Sequence, residues 1–366
     1  RKGSWRINMK KLLSMALVAA MSMTALAGCA SNSGDASGKD GEGNCPIKVG
    51  FVTDTGGIDD KSFNQGSWEG IEKWRTDNNL PEKCISYVQS KAEADYVPNL
   101  SSLADDGFDL VVAAGYLFED AMKEVSGKYP DTKFFVIDTV VPGDNVESGM
   151  FAAEQSSYLV GIAAAMQAKA AGGDTVGFVG GMDSELIQTF QAGYEQGVKS
   201  VDKNMKVMVN YAGAFDDPTK GGNLANMQYD AGAKVVYHSA GNTGSGVIKA
   251  AKERTEKGDT VWAIGVDRDQ YEDGKYGKDG KSVILTSALK RVDVATYNVA
   301  TAAMNGEFKG GTTVNFDIKN EGVGIPAENP NLSKDIQDAL NKAVKDIKDG
   351  KVKVSTKAKI KDGNIG

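Results

Sequence analysis

Histidine is nearly absent from this chain: His238 stands alone in 366 residues, beside three cysteines and eight prolines. One imidazole excludes catalysis that needs two histidines, and with so few cysteines it excludes most zinc sites. Positive charge is also short. Lys and Arg number 42 against 49 Asp and Glu, for a net charge of −7 and a pI near 5.1. Nucleic acid wants a basic footprint and is therefore not an expected partner. A comfortable membrane span is lacking at the N-terminus, where the apolar stretch 12–26 is short and broken by Ser14, Ser22 and Thr24. What is present is ordinary globular material, 41% hydrophobic and 25% charged, which rules out disorder of the chain as a whole. Its length suits two domains, and 44 glycines suit many strand-to-helix turns.

Residues 1–28 carry five basic side chains (Arg1, Lys2, Arg6, Lys10, Lys11) and no acidic one. Met9-Lys10-Lys11 reads as a start, with residues 1–8 upstream of it. A basic opening and a short apolar core make a secretory signal over residues 1–28. It ends in Leu26-Ala27-Gly28-Cys29, which resembles a bacterial lipobox. That resemblance implies a lipid on Cys29 after cleavage. Removing five positive charges leaves the mature chain near −12, so anchoring is expected from the lipid and not from an electrostatic grip on anionic lipid. Residues 29–45 form the lipidated end and a flexible tether, able to reach roughly 50 Å when extended. Cys45 and Cys84 open the first and second predicted strands. Outside the cytosol a disulfide between them and two free thiols both remain open readings.

From residue 46 the pattern alternates. Strands are expected at 47–53, 85–89, 108–113, 133–139, 175–179, 206–211, 234–238, 260–266 and 283–288. Helices are expected at 63–77, 94–105, 119–128, 154–171, 184–201, 219–231, 246–257, 292–304 and 333–350. In the first helix Trp68, Ile71 and Trp74 recur at helical spacing. Near-continuous apolar strands between helices mean parallel sheets covered on both faces. Two such runs, before and after about residue 152, predict two α/β lobes. The first is 46–152 with about 287–315, the second 153–286 with about 316–366. Ligands of such sheets bind beyond the carboxyl ends of strands, so two lobes can share one cleft.

The informative residues sit at those strand ends. The first set is Val52-Thr53-Asp54-Thr55-Gly56-Gly57-Ile58-Asp59-Asp60-Lys61-Ser62-Phe63-Asn64-Gln65. Others are Gly115-Tyr116-Leu117-Phe118-Glu119-Asp120-Ala121, Tyr211-Ala212-Gly213-Ala214-Phe215-Asp216-Asp217-Pro218 and Ala240-Gly241-Asn242-Thr243-Gly244-Ser245-Gly246. Ile264-Gly265-Val266-Asp267 and Ser287-Ala288-Leu289-Lys290 complete them. Together, in this order, they resemble the basic membrane protein family, bacterial lipoproteins that bind purine nucleosides for ABC importers. The resemblance spans nearly the whole chain. It implies a type I periplasmic-binding-protein fold of two hinged lobes, no enzymatic activity and no cofactor or metal. It also implies a purine nucleoside ligand of the inosine, guanosine or adenosine class, a permease partner, and a monomer held at the membrane by its lipid alone.

The side chains can carry such a role. Asp54 follows the first strand, where a carboxylate accepts from a purine's N–H groups; by composition alone it reads as a turn aspartate. Thr55 adds a hydroxyl. Asp59 reads as a turn or cap residue. Phe63 stands at a helix start, open to stacking on a base, and the resemblance pairs it with Phe215; packing under the hinge competes for Phe215. Asp120, Asp267 and Lys290 read as a ribose-binding set, against surface ion pairs as the plain alternative. Gly241, Gly244 and Gly246 fail the phosphate-loop spacing, and a glycine turn approaching a sugar, with Gly244 in it, fits better. His238 reads as a buried, satisfied histidine.

Two rivals remain. Asp54 with Asp59-Asp60 superficially resembles the calcium aspartates of nucleoside hydrolases. Val52 stands where that family has a further aspartate, the spacing is one residue too long, and no histidine lies nearby to protonate a leaving base. A sugar-binding protein of the same architecture is the other, since sugars also stack on rings.

Overall fold

A computed structural model describes residues 43–366, which form one compact unit. The signal segment, Cys29 and all but the end of the tether lie outside the described residues.

The order begins β1 (Val49–Val52), α1 (Phe63–Asp77), β2 (Ile85–Val88), α2 (Tyr96–Asp105), β3 (Leu110–Ala114), α3 (Glu119–Lys128), β4 (Lys133–Ile137) and β5 (Val146–Phe151). It continues with α4 (Ala153–Ala170), β6 (Thr175–Gly180), α5 (Glu185–Val201), β7 (Lys206–Tyr211), α6 (Pro218–Asp230), β8 (Val235–Ser239), α7 (Asn242–Glu256) and β9 (Trp262–Asp267). A small hairpin follows, β10 (Lys275–Tyr276) and β11 (Lys281–Ser282). The last elements are β12 (Ile284–Lys290), α8 (Val292–Met304), β13 (Thr313–Phe316), β14 (Val323–Gly324) and α9 (Lys334–Lys348).

These strands make two six-stranded sheets. The first runs β13-β5-β4-β3-β1-β2 and is wholly parallel. The second runs β14-β12-β9-β8-β6-β7 and is parallel apart from β14. Within them β2-β1-β3-β4-β5 and β7-β6-β8-β9-β12 have the same doubly wound order, so the two halves repeat one topology. β1, β3 and β8 are buried along their whole length, which is why they read as unbroken apolar runs. β5 was invisible to that test, because Glu147, Ser148 and Gly149 interrupt its apolar residues.

Alternate strand residues face opposite layers. In the first sheet Val111 and Ala113 pack with α2 and α3, while Leu110, Val112 and Ala114 pack with α1 and α8. In the second, Val236 and Ala263 pack with α6 and α7, while Tyr237 and Ile264 pack toward α4 and α5. The core under α1, α8, α4 and α5 is continuous between the two sheets.

The chain passes between sheets three times: after β5, after β12 and after β13. The sequence placed the second passage at about residue 287. Ser287, Ala288 and Leu289 instead pair with Gly265, Val266 and Asp267 of β9, so the passage falls after Lys290. Cys45 and Cys84 are joined in a disulfide, which ties the approach to β1 to the start of its neighbour β2. Among the described residues no helix is long and apolar enough to cross a membrane.

Candidate functional site

The carboxyl ends of both sheets converge on one cleft with about 510 Å³ of atom-free space, part of it open to solvent. From the first sheet come Asp54 beyond β1, Gly115 and Tyr116 beyond β3, and Asp138 beyond β4. Phe63 and Asp60 enter from the start of α1. From the second come Ser239 at the end of β8 with Ala240 and Gly241 beyond it, Asp267 at the end of β9 and Lys290 at the end of β12. Phe190 of α5 and Phe215 of the loop after β7 add aromatic surface.

Asp54 is positioned by the turn into α1. Asn64 Nδ2 donates to Asp54 Oδ1 at 2.7 Å and to Asp60 Oδ2 at 2.9 Å, and Gly56 N adds a 2.8 Å bond to Asp54 Oδ1. Asn64 Oδ1 in turn accepts from Asp54 N at 3.0 Å. Asp60 also takes the backbone N–H groups of Ser62, Asn64 and Gln65, so it satisfies the first turn of α1. The cap expected from Asp59 is made by Asp60, while Asp59 is exposed. These carboxylates are held by N–H donors, the wrong partners for a calcium ion, which takes oxygen ligands.

Asp138 and Asp267 occupy matching places in the two sheets, each at the end of the strand next after the switch-point pair. Both have left-handed backbone, with φ of 70° and 67°. Aspartate tolerates that region better than most residues. Lys290 Nζ crosses from the second sheet to donate to Asp138 Oδ2, and both side chains are 2% exposed. The same ammonium lies 4.7 Å from the centroid of Phe63, 5.3 Å from Phe151 and 5.5 Å from Phe190. Ring faces thus replace the water it has lost.

Crowding buried carboxyls around one lysine disfavours their ionisation. Burial pushes Asp54 up to about 7 against its bonds from Asn64 and Gly56, with Asp60 and Asp138 adding to the rise. Burial also pushes Asp267 up to about 7 against the pull of Lys290. Asp138 and Asp60 are raised by burial as well, the first despite Lys290, the second despite its hydrogen bonds.

His238 is buried in β8 and lies behind this layer. Val266 N donates to Gln270 Oε1 at 3.0 Å, so in its own 2.8 Å contact with that oxygen His238 Nε2 is the donor. Burial lowers the imidazole to about 4 and keeps it neutral. Its Nδ1 has no partner among the described residues, so it is satisfied at one nitrogen only. Gln270 Nε2 then reaches the other side of the cleft, donating to Lys61 O at 2.9 Å. Arg268 does the same with Glu69 Oε1 at 3.0 Å. The described cleft is therefore bridged at several points.

Five of the residues singled out in the sequence meet here: Asp54, Phe63, Phe215, Asp267 and Lys290. Three do not. Asp120 lies in the first turn of α3 with its side chain fully exposed, 3.7 Å from Lys123, so it complements its own helix and does not face the cleft. Asp138 stands in the cleft instead. Gly244 lies inside α7, where a Cβ would come 2.0 Å from His238 Nδ1; it is a packing glycine, and Gly241, with φ of 55°, is the one that reaches the cleft. Thr55 is half-buried next to Asp54 and is not part of the lining. Asp138, Asp60 and Phe190 were missed. A usable signal for Asp138 was the apolar run Phe134-Phe135-Val136-Ile137 closing on an aspartate, as Val266 closes on Asp267.

The family model described as "ABC transporter substrate-binding protein PnrA-like" (Bmp) matches residues 47–357. The chain belongs to the Bmp family. It is 39% identical over 356 residues to the "ABC transporter nucleoside-binding protein BmpA" of Lactococcus lactis subsp. cremoris, covering 95% of this chain and 99% of that one. It is 34% identical to an "uncharacterized lipoprotein" of Pyrococcus abyssi, over 76% of this chain and 68% of that one. Among solved structures, an ABC transporter solute-binding protein of Aeropyrum pernix K1 superposes with a TM-score of 0.75 at 27% identity, covering 85% of this chain and 94% of that one. As a Bmp-family member the chain is an ABC transporter substrate-binding protein with the periplasmic-binding-protein fold.

Proposed function

We propose that this Bmp protein captures purine nucleosides in the cleft, delivers them to an ABC permease, and is held at the outer face of the membrane as a monomer by a lipid on Cys29. The observation that carries the ligand reading is the combination of Phe63 and Phe215 with Asp54, Asp138, Asp267 and Lys290 in one cleft. Flat aromatic faces suit a base, and carboxylates beside a lysine suit the hydroxyls of a ribose. By this reading Asp54 serves the base end, and Asp267 and Lys290, with Asp138 in place of Asp120, serve the ribose end.

Charge then selects among purine compounds. Four buried carboxyls against Lys290 leave no cation in the cleft lining to receive a phosphate. A 5′-phosphate brought there meets like charges out of water, which disfavours nucleotides. Nothing in this reading cleaves the glycosidic bond: Asp54 and Asp60 are tied to Asn64, and His238 is neutral and turned toward Gln270. The anchor reading rests on the lipobox-like Leu26-Ala27-Gly28-Cys29.

A thermal-shift screen against nucleosides, free bases, sugars and nucleotides tests this. Stabilisation by inosine or guanosine, weaker by the free bases and absent with the monophosphates, is expected. Stabilisation by sugars alone, or stronger stabilisation by monophosphates, overturns the ligand reading. Release of free base from nucleoside overturns its non-enzymatic part. For the anchor, Cys29→Ala is expected to abolish lipid incorporation; a variant that still acquires lipid overturns it.

A further inference from the structure

We propose that Asp54 reads the purine edge by exchanging a proton: it receives 6-oxopurine nucleosides as a carboxylate and 6-aminopurine nucleosides as a carboxylic acid, so the preference between the two classes changes with pH. This rests on the nucleoside reading above.

The two oxygens of Asp54 are not equivalent. Oδ1 already accepts from Asn64 Nδ2 and Gly56 N. The hydrogen bonds that Asp54 accepts from the described residues all end on Oδ1, which leaves Oδ2 without one, and the residue lines the cleft. It also stands at the edge of the stacking surface. A single point, the direction in which Gly115 lacks a Cβ, is 3.4 Å from Asp54 Oδ2 and 3.6 Å from Phe63 Cε1. A flat base lying on Phe63 therefore turns an edge toward Oδ2. Glycine at 115, with φ of 121°, keeps that approach clear.

Most groups around Asp54 are committed elsewhere. Both amide hydrogens of Asn64 are committed, to Asp54 and Asp60. Asp60 has both oxygens filled by four N–H contacts. Tyr96 of α2 and Tyr116 beyond β3 face Asp54, but burial raises both phenols, so they stay neutral. Asp138 gives Oδ2 to Lys290 and leaves Oδ1 without a partner among the described residues, so the Asp54→Asn arm below is what separates the two carboxyls; Asp267 lies on the opposite sheet. Burial holds Asp54 itself at about 7, where both of its forms are accessible.

The purine edges then divide by donor pattern. Inosine and guanosine carry beside the 6-oxo group an N1–H, and that donor needs an acceptor. Adenosine carries an N1 acceptor beside its amino group, which a carboxyl O–H can serve. Binding the first class sends the Asp54 proton to solvent. Binding the second takes a proton from solvent. Asp267 also titrates near 7, but it faces the ribose in both cases and shifts both affinities alike.

Calorimetry with inosine and with adenosine, at about pH 6 and about pH 8, each in two buffers of different ionisation enthalpy, tests the proposal. The inosine-to-adenosine affinity ratio is expected to rise about 10-fold or more between the two pH values, with proton release for inosine relative to adenosine. Asp54→Asn keeps an acceptor for Asn64 and Gly56 and is expected to flatten the ratio. A ratio unchanged with pH in the parent, or a shift that persists in Asp54→Asn, overturns the proposal while leaving the nucleoside reading standing. If Asp54→Asn does not fold, the parent's two proton counts decide. If neither nucleoside binds at either pH, the nucleoside reading itself fails and this proposal with it.

Discussion

Lys290, the last residue of β12, reaches across from the second sheet to Asp138 at the end of β4 in the first, and the two side chains are equally buried. One ion pair thus fastens the two halves at the floor of the cleft, and Phe63, Phe151 and Phe190 surround its cation. Such a pair is weakly stabilising as a whole, but removing one partner strands a buried charge. Lys290→Met is therefore expected to cost about 3–5 kcal/mol in denaturant unfolding. Adding Asp138→Asn to it is expected to restore part of that loss. A Lys290→Met loss under about 1 kcal/mol, the value of a solvated surface pair, contradicts the burial argument.

Asp54 and Asp267 give the ligand-free protein an unusual pH dependence. Both are raised from 3.8 to about 7. The folded state therefore holds more protons than the unfolded chain across that window. Their contribution is fully present below about 3.8 and is lost as pH rises through about 7. Melting of the free protein is expected to occur at a higher temperature at about pH 5 than at about pH 8, with Asp54→Asn reducing the difference. Equal melting temperatures, or a rise toward pH 8, contradict the raised carboxyls.

Two substitutions separate packing from recognition. Gly244→Ala places a methyl on the His238 ring and is expected to lower stability by about 1–3 kcal/mol. Ligand affinity measured below the melting temperature is expected to stay within a few-fold of the parent. Asp120→Ala removes a fully exposed carboxylate and is expected to change neither stability nor affinity measurably. A tenfold loss of affinity in Asp120→Ala returns that residue to the site.

Much of this fold was legible because buried parallel strands are unbroken apolar runs, as Leu110-Val111-Val112-Ala113-Ala114 shows. The strands that escaped were those whose pattern is not set by a two-sided core: β5 with its internal Glu147 and Gly149, the mostly unburied β13, and the two-residue β10, β11 and β14, too short to carry a pattern. The site was legible where a polar residue closes an apolar run, directly at Asp267 and Lys290 and one residue on at Asp54. Asp120 misled because a turn at Tyr116–Phe118 intervenes between β3 and α3 and rotates it outward. Gly244 misled because glycine serves close packing as well as sharp turns, and sequence does not show His238 beneath it. Phe190 gave no signal, since a phenylalanine within an amphipathic helix looks like any core residue until the second sheet's helix is seen to wall the cleft.

The central claim is that one cleft, built from the strand ends of both sheets, holds base and ribose together. The most direct test is calorimetric titration of the parent and of Asp267→Ala with guanosine and with guanine. The account predicts one guanosine per chain for the parent. For Asp267→Ala it predicts an affinity about 10- to 100-fold weaker for guanosine, with guanine little changed. An equal loss for guanine and guanosine in Asp267→Ala would show the two ends exchanged, and no guanosine heat in the parent at any concentration would contradict the account outright.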